Sequence, residues 1–214
     1  MLHPFLGVEL ELGPGVLRPR RETELLGREA IDLLTQRGPG QTVIDMCCGS
    51  GNLALAIAAA TPTARIFASD LTDDAVKTAR ANVARLHLGH QVTVVQGALF
   101  EGLATYSLIG HVDLIVCNPP YISSKRLDTD SAYLMAAEPR EAFDAGPYGI
   151  ALHQRLICEA PAFLKPGGWL AFEFGEGQDR LVHALLRRVA TLTPPRFATD
   201  DRGIPRVALC QKKA

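Results

Sequence analysis

The segment from Thr42 to Pro62, TVIDMCCGSGNLALAIAAATP, decides the fold. TVIDMCC is an apolar run of strand length. Gly49-Ser50-Gly51 breaks it, and NLALAIAAATP is a helical run stopped by Pro62, which has no backbone N–H to donate. Gly49 and Gly51 let the chain turn sharply and come close to a ligand. Strand, glycine turn and helix make one unit of an alternating α/β chain.

The same rhythm continues on the C-terminal side. ARIFASD reads as a strand. TDDAVKTARANVARLHLG reads as a helix with Thr72 as N-cap, acids in its first turn and Gly89 at its end. QVTVVQG and VDLIVCN are strands. GIALHQRLICEAPAFLKPGG is a helix closed by a Pro-Gly-Gly turn, WLAFEFG a strand, GQDRLVHALLRRVA a helix and RVALCQKK a final strand. Such alternation predicts a parallel sheet with helices on both faces. The last strand follows the turn-rich ATDDRGIPR and can enter the sheet in the opposite direction. On the N-terminal side, GVELELGPGVLRPR alternates around Gly13-Pro14-Gly15, which predicts a β-hairpin or extended flap. ETELLGREAIDLLTQRG reads as a helix ending at Gly38. The connection from Pro119 to Tyr148 is long for a compact domain, a length that usually serves function.

The chain has 214 residues, 47 % hydrophobic and 21 % charged, with a net charge of −1. This is the profile of one globular domain. No basic excess points to a nucleic-acid partner. No apolar run approaches the roughly 20 residues of a membrane span. MLHPFLGVELELG lacks the basic segment and long apolar core of a secretory signal, so a cytoplasmic location is expected. The five cysteines, Cys47, Cys48, Cys117, Cys158 and Cys210, form no CxxC pair. They read as reduced, buried thiols. The six histidines (His3, His87, His90, His111, His153 and His183) show no metal-ligand spacing and are expected at the surface or at helix ends. No metal is expected. Trp169, at a strand start, is expected in the core.

In open α/β sheets ligands bind beyond the carboxyl ends of the strands. Three features converge there. The first is the glycine loop with Asp45 just before it. The second is Asp70, ending the next strand, where a carboxylate can accept both ribose hydroxyls. A dinucleotide or S-adenosyl-L-methionine would suit this pair. The G-x-G-x-x-G spacing is absent, and Asp45 would repel a pyrophosphate. A cationic sulfonium with an amino-acid tail suits it better.

The third feature is Asn118, in DLIVCNPPYIS (Asp113–Ser123). Two prolines end the strand and push the preceding residue out of the helical region. The asparagine amide is thereby held in a stiff extended loop. A planar nitrogen is a poor nucleophile because its lone pair is delocalised. The Asn118 side-chain oxygen and the Pro119 carbonyl could accept its two hydrogens and localise that pair, while Tyr121 offers a flat face. A tight strand-to-helix turn and a strand-ending turn are the plain structural alternatives for the two motifs.

Together, DMCCGSG, ASD and VDLIVCNPPYI resemble a class I S-adenosyl-L-methionine-dependent methyltransferase with an NPPY motif. GVLRPRRETELL, EPREAFDAGPYGI, LKPGGWLAFEFGEGQ and DDRGIPRV narrow the resemblance to the release-factor glutamine N5-methyltransferase family. It implies a Rossmann-like, seven-stranded, mostly parallel sheet preceded by an N-terminal hairpin flap. It implies a flap over residues 1–24 and a methyltransferase domain over 25–214. It also implies a cofactor site at Asp45, Cys47, Cys48, Gly49, Ser50, Gly51, Asp70, Leu71, Ala98, Leu99 and Asn118. Asn118, Pro119, Pro120 and Tyr121 would bind the amide being methylated. The expected partner is a peptide chain release factor, or else a small amide- or amine-bearing molecule.

Three departures from the family pattern matter. Cys47 and Cys48 stand where a glycine and a threonine are usual. Ala98 stands where an aspartate near adenine is usual. The family usually carries a helical domain before the flap, and this chain has only a few residues there. Loss of that docking area makes a small-molecule N-methyltransferase the runner-up. A cofactor-binding module without catalysis is opposed by the intact NPPY. A nucleic-acid methyltransferase ranks lower. Arg18, Arg20 and Arg21 could bind an acidic substrate or form a solvated charge run. Glu138 could line the substrate entrance or cap a turn before Pro139.

Overall fold

The computed structural model describes residues 2–122 and 149–214. In chain order the elements are β1 (Leu2–Phe5), β2 (Val8–Glu11), α1 (Thr23–Thr35), β3 (Thr42–Met46), α2 (Asn52–Ala60), β4 (Arg65–Asp70), α3 (Asp73–Arg85) and β5 (Val92–Gln96). A 3₁₀ turn (Leu99–Leu103) follows, then β6 (Val112–Cys117), α4 (Ala151–Phe163), β7 (Leu164–Glu173), α5 (Asp179–Leu186), β8 (Arg196–Thr199) and β9 (Pro205–Gln211).

β1 and β2 form a separate antiparallel hairpin, and the other seven strands form one sheet in the order β5-β4-β3-β6-β7-β9-β8. β3 to β7 run parallel, whereas β9 is antiparallel to both β7 and β8. The expected alternation and reversed last strand are both present. β8 is the seventh strand, a four-residue edge segment that carries no alternation strong enough to single out.

Both faces of the sheet are buried, which is why its strands read as near-continuous apolar runs. Successive residues point to opposite faces. Val43, Leu114 and Ala171 pack with α1, α2 and the hairpin, while Ile44, Ile115 and Phe172 pack with α4 and α5. Phe5, Val8 and Leu10 belong to the first of these cores, so the hairpin is joined to the sheet by buried apolar surface.

Several boundaries differ from the sequence reading: α1 ends at Thr35, short of Gly38, and α5 at Leu186, short of Ala190. The hairpin turns at Leu6-Gly7, both with positive φ, and not at Gly13-Pro14-Gly15. Two residues in left-handed conformation match the twist of a two-residue hairpin, and VELE finds its partner upstream. α3 ends at Arg85, with His87 left-handed two residues later, so Gly89 is not its terminator. β7 begins before the Pro-Gly-Gly turn: pairing passes from Val112↔Leu164 to Leu114↔Trp169, and Lys165–Gly168 form an excursion between. A Cβ at Gly168 would lie 2.8 Å from the Val112 carbonyl oxygen, which reserves this position for glycine.

Trp169 is half-buried at the margin of the core, with the Arg196 guanidinium 5.9 Å from its ring centre. His153 is fully buried, contrary to the surface expectation. Cys48, Cys117 and Cys210 are buried, Cys47 is partly so, and Cys158 is exposed, so the expectation of buried thiols fails at Cys158.

Candidate active site

From β3 the sheet extends one way through β4 and β5, then the chain returns to place β6 on the other side. That reversal opens a crevice beyond the carboxyl ends of β3 and β6. Met46 is the Cα partner of Cys117, so Cys47 and Asn118 leave the sheet side by side. A cleft of about 210 Å³ lies there.

The glycine loop forms one wall. Cys47 and Gly49 line the cleft; Cys48, Ser50 and Gly51 shape the loop from behind. Cys47 holds φ 55°, Gly49 φ 54° and Gly51 φ 80°. Cys48 N donates to Ser69 O at 3.1 Å and Gly51 N to Cys48 O at 2.8 Å, closing the turn. Burial pushes the Cys48 and Cys117 thiols well above the ordinary range, as expected of packing residues.

Asp45 is not in the cleft wall. Its side chain is fully buried, and Oδ2 accepts the Ala54 N–H at 2.9 Å. It therefore satisfies one of the orphan donors in the first turn of α2. Burial pushes its pKa up to about 8, which removes most of the charge that a ligand-facing acid would offer.

Asp70 ends β4 in the cleft. Its Oδ2 accepts Gly49 N at 2.9 Å, and Oδ1 accepts Thr72 N at 3.1 Å and Thr72 Oγ1 at 3.3 Å. Leu71, 61 % exposed, forms the rim. Ala98 and Leu99 line the opposite wall. Leu99 is held at φ 53°, with the Ser69 hydroxyl donating to its carbonyl at 3.2 Å. Gly15, Val16 and Pro19 close the cleft from the hairpin side.

Asn118 and Pro120 line the cleft, whereas Pro119 and Tyr121 do not. Asn118 Nδ2 donates to Thr23 Oγ1 at 3.1 Å. The phenol of Tyr121 donates to Glu173 Oε1 at 3.3 Å, and burial raises its pKa. Gln178 Nε2 donates to Tyr121 O at 2.9 Å, and Gln178 Oε1 accepts Gly175 N at 2.8 Å. The ends of the NPPY motif are thus clamped from α1, from β7 and from the turn before α5.

Residues to which the sequence reading gave no role also build the site. Thr23, Glu173 and Gln178 sit within PRRETE and EFGEGQ, two of the segments that carry the family resemblance. Asn82 accepts Glu11 N at 2.8 Å and donates to Glu11 O at 2.9 Å and Ser50 O at 3.0 Å, tying the hairpin to the glycine loop. Its one signal is a polar residue on the apolar face of α3. Arg155 lines the cleft from α4. Arg18 and Arg21 are exposed and Arg20 is half-buried. Glu138, EPREAFDAGPY and most of the long connection lie outside the described residues.

The pieces fit a nucleoside whose tail runs along the glycine loop. A carboxylate oxygen takes more than one hydrogen bond, so Asp70 can still accept ribose hydroxyls. A Cβ at Gly49 would meet no atom within 4 Å, so the loop backbone is open to a ligand. A sheet of this order with an amide-presenting loop at its switch point defines the class I S-adenosyl-L-methionine-dependent methyltransferases.

Residues 29–148 match the family described as Methyltransferase small domain. The chain is 36 % identical over 204 residues to the release factor glutamine methyltransferase of Geobacter sulfurreducens, covering 95 % of this chain and 68 % of that protein. It belongs to the release factor glutamine methyltransferase family. A second relative with that description, from Caulobacter vibrioides, is 35 % identical over 203 residues and is covered over 68 % of its length by 94 % of this chain. Among solved structures, the chain is similar to the release-factor-specific protein-(glutamine-N5) methyltransferase of Alicyclobacillus acidocaldarius. The TM-score is 0.55 at 27 % identity, over 95 % of this chain and 99 % of that one.

Proposed function

We propose that this protein methylates the side-chain amide nitrogen of a glutamine in a peptide chain release factor. The observation that carries the reading is the Asn118 amide, fixed by Thr23 beside the glycine loop. With Nδ2 committed to Thr23, Oδ1 is the end left to accept from a substrate. It takes one hydrogen of the glutamine amide; in this reading the other goes to the Pro119 carbonyl, which must reach the cleft from behind Asn118 and Pro120 because Pro119 does not line it. Both bonds strengthen as the nitrogen gains positive charge, so the clamp favours the transition state over the ground state. Asp70 and the Cys47–Gly51 loop hold the ribose and methionine ends of the cofactor, and Ala98 and Leu99 face its adenine. When bound, S-adenosyl-L-methionine supplies a methyl carbon activated by its sulfonium.

The expected boundary between a flap over residues 1–24 and a domain over 25–214 falls inside α1, which begins at Thr23. In this reading the segment before α1 acts as the flap and the rest as the catalytic domain, and the protein works in the cytoplasm. None of the described helices is long and apolar enough to cross a membrane. The test is incubation with methyl-labelled cofactor and a release factor, followed by mass spectrometry of the glutamine-bearing peptide. One added methyl on that glutamine is expected. Label found only in small amides or amines, or cofactor binding without transfer, overturns the reading.

A further inference from the structure

We propose that Glu173 is a positioning residue for the clamp: acting through the Thr23 hydroxyl, it decides which end of the Asn118 amide faces the substrate. The inference rests on the amide-methylation reading above and deepens it.

An asparagine amide has an acceptor end and a donor end of nearly equal shape. The clamp works only with the oxygen towards the substrate nitrogen, because two N–H donors facing each other would repel. Nothing within Asn118 selects that orientation. The selection comes from Thr23, whose Oγ1 accepts from Asn118 Nδ2 at 3.1 Å. A hydroxyl can also donate, and a free one could turn its hydrogen to Asn118 Oδ1. The amide would then flip. Thr23 stays an acceptor only if its hydrogen is engaged elsewhere.

In this proposal Glu173 engages it. The Thr23 hydroxyl lies beside the Glu173 carboxylate and lowers its pKa. Glu173 Oε1 already takes the Tyr121 phenol at 3.3 Å. Oε2 has no full hydrogen bond among the described residues, so an acceptor remains for the threonine hydrogen. An ionised carboxylate donates nothing, so a hydroxyl that bonds it is the donor. Tyr121 does so at 3.3 Å, and in this proposal Thr23 takes the same role at Oε2. One buried side chain on β7 thereby orients both ends of the NPPY motif. It has no exposed surface. Burying such a charge is costly for stability, and in this proposal orientation of the motif is the compensating role.

The charged and titratable groups facing Glu173 come from four directions. Arg206 on β9 stands 4.0 Å away, Glu22 precedes α1, Tyr121 follows β6, and His153 of α4 bonds the Glu173 carbonyl at 3.0 Å. Glu176, in the turn after β7, lies 4.0 Å from the same Arg206. Burial pushes the carboxyl up to about 7, although Thr23, Arg206 and Tyr121 hold it down. Below that value the carboxyl becomes a donor and competes for the hydroxyl lone pairs. Methyl transfer should then fall as pH drops through about 7.

Three variants test the relay. Thr23→Val keeps shape and removes the hydroxyl, Thr23→Ser keeps the hydroxyl, and Glu173→Gln keeps size and removes the charge. Thr23→Val should lower kcat about tenfold or more, equivalent to about 1.4 kcal/mol, with cofactor Kd nearly unchanged. Thr23→Ser should restore most of the rate. Glu173→Gln should flatten the acid limb of the kcat–pH profile. In ligand-free protein, the Asn118 side-chain amide resonances should shift in Thr23→Val and hold in Thr23→Ser. Wild-type kcat in Thr23→Val, equal damage in Thr23→Val and Thr23→Ser, or an acid limb that persists in Glu173→Gln overturns the inference. If the wild type fails to methylate a release factor, the function reading falls alone. The Asn118 resonances then decide the relay: unmoved signals in Thr23→Val refute it.

Discussion

Asp70 Oδ2 accepts the Gly49 N–H at 2.9 Å, so the acid ending β4 is fastened to the glycine loop that follows β3. The bond joins the two elements expected to hold opposite ends of the cofactor. Asp70→Ala should remove the ribose acceptors and release the loop together. Hydrogen bonds to a charged group contribute about 1.5–3 kcal/mol each, so cofactor affinity should fall at least tenfold. Titration calorimetry with S-adenosyl-L-methionine reads this directly, and an unchanged Kd removes Asp70 from the ribose site.

Asn118→Ala should separate binding from chemistry. The amide lies beside the glycine loop, but in the proposed reading it acts on the acceptor nitrogen. Its loss should cost roughly 3–4 kcal/mol of transition-state stabilisation, by analogy with a lost oxyanion-hole donor, and so lower kcat by a factor of about 10²–10³. Cofactor Kd should change far less. Equal losses in kcat and in cofactor affinity would mean that the residue serves the cofactor and not the acceptor.

The fold was legible because the buried faces of β3, β4 and β6 leave near-continuous apolar runs, each broken by glycine, an acid or proline at its carboxyl end. Those breaks also line the cleft, where Asp70, Gly49 and Asn118 meet. Asp45 was misplaced for a physical reason: a strand-end acid can face a ligand or fill an orphan N–H of the next helix, and spacing does not distinguish them. Thr23, Glu173 and Gln178 received no role because they reach the site from about 50 or more positions away in sequence, through contacts such as Glu173 to Tyr121. Long-range hydrogen bonds leave no local period. The hairpin turn was misread because Gly13-Pro14-Gly15 is the stronger turn signal, while VELE pairs with LHPF upstream.

Cys47 carries a backbone cost that the loop can shed. Its φ of 55° is left-handed, a region that costs an L-residue roughly 1–2 kcal/mol and glycine almost nothing. Cys47→Gly should relieve that strain, offset in part by a more flexible unfolded chain, for a net gain of about 0.5–1 kcal/mol. Cys47→Val should destabilise, because a β-branched residue tolerates this region less well. Urea unfolding of the three proteins gives the order Gly, Cys, Val; valine at least as stable as cysteine would show that the loop relaxes out of the left-handed region.

His153 makes acid sensitivity of the fold a measurable property of one ring. It is fully buried, its Nε2 donates to the Glu173 carbonyl at 3.0 Å, and Nδ1 has no partner among the described residues. Burial pushes its pKa from 6.5 down to about 4. Between those values the unfolded chain binds a proton that the folded chain refuses, so the contribution of His153 to stability is intact above 6.5 and is lost as pH falls towards 4. The slope is about 1.4 kcal/mol per pH unit. Asp45 and Glu173, whose pKa values are raised, act with the opposite sign over much of this range, so the wild-type curve alone does not isolate the histidine. His153→Gln keeps a donor for the Glu173 carbonyl and cannot titrate. Subtracting its stability from that of the wild type, by urea unfolding at intervals from pH 7.5 down to 4, should give a difference that is flat above 6.5. Below 6.5 it should move steadily in favour of the variant. A flat difference throughout would mean that the ring accepts its proton inside the fold, with Nδ1 reaching water or a carboxylate.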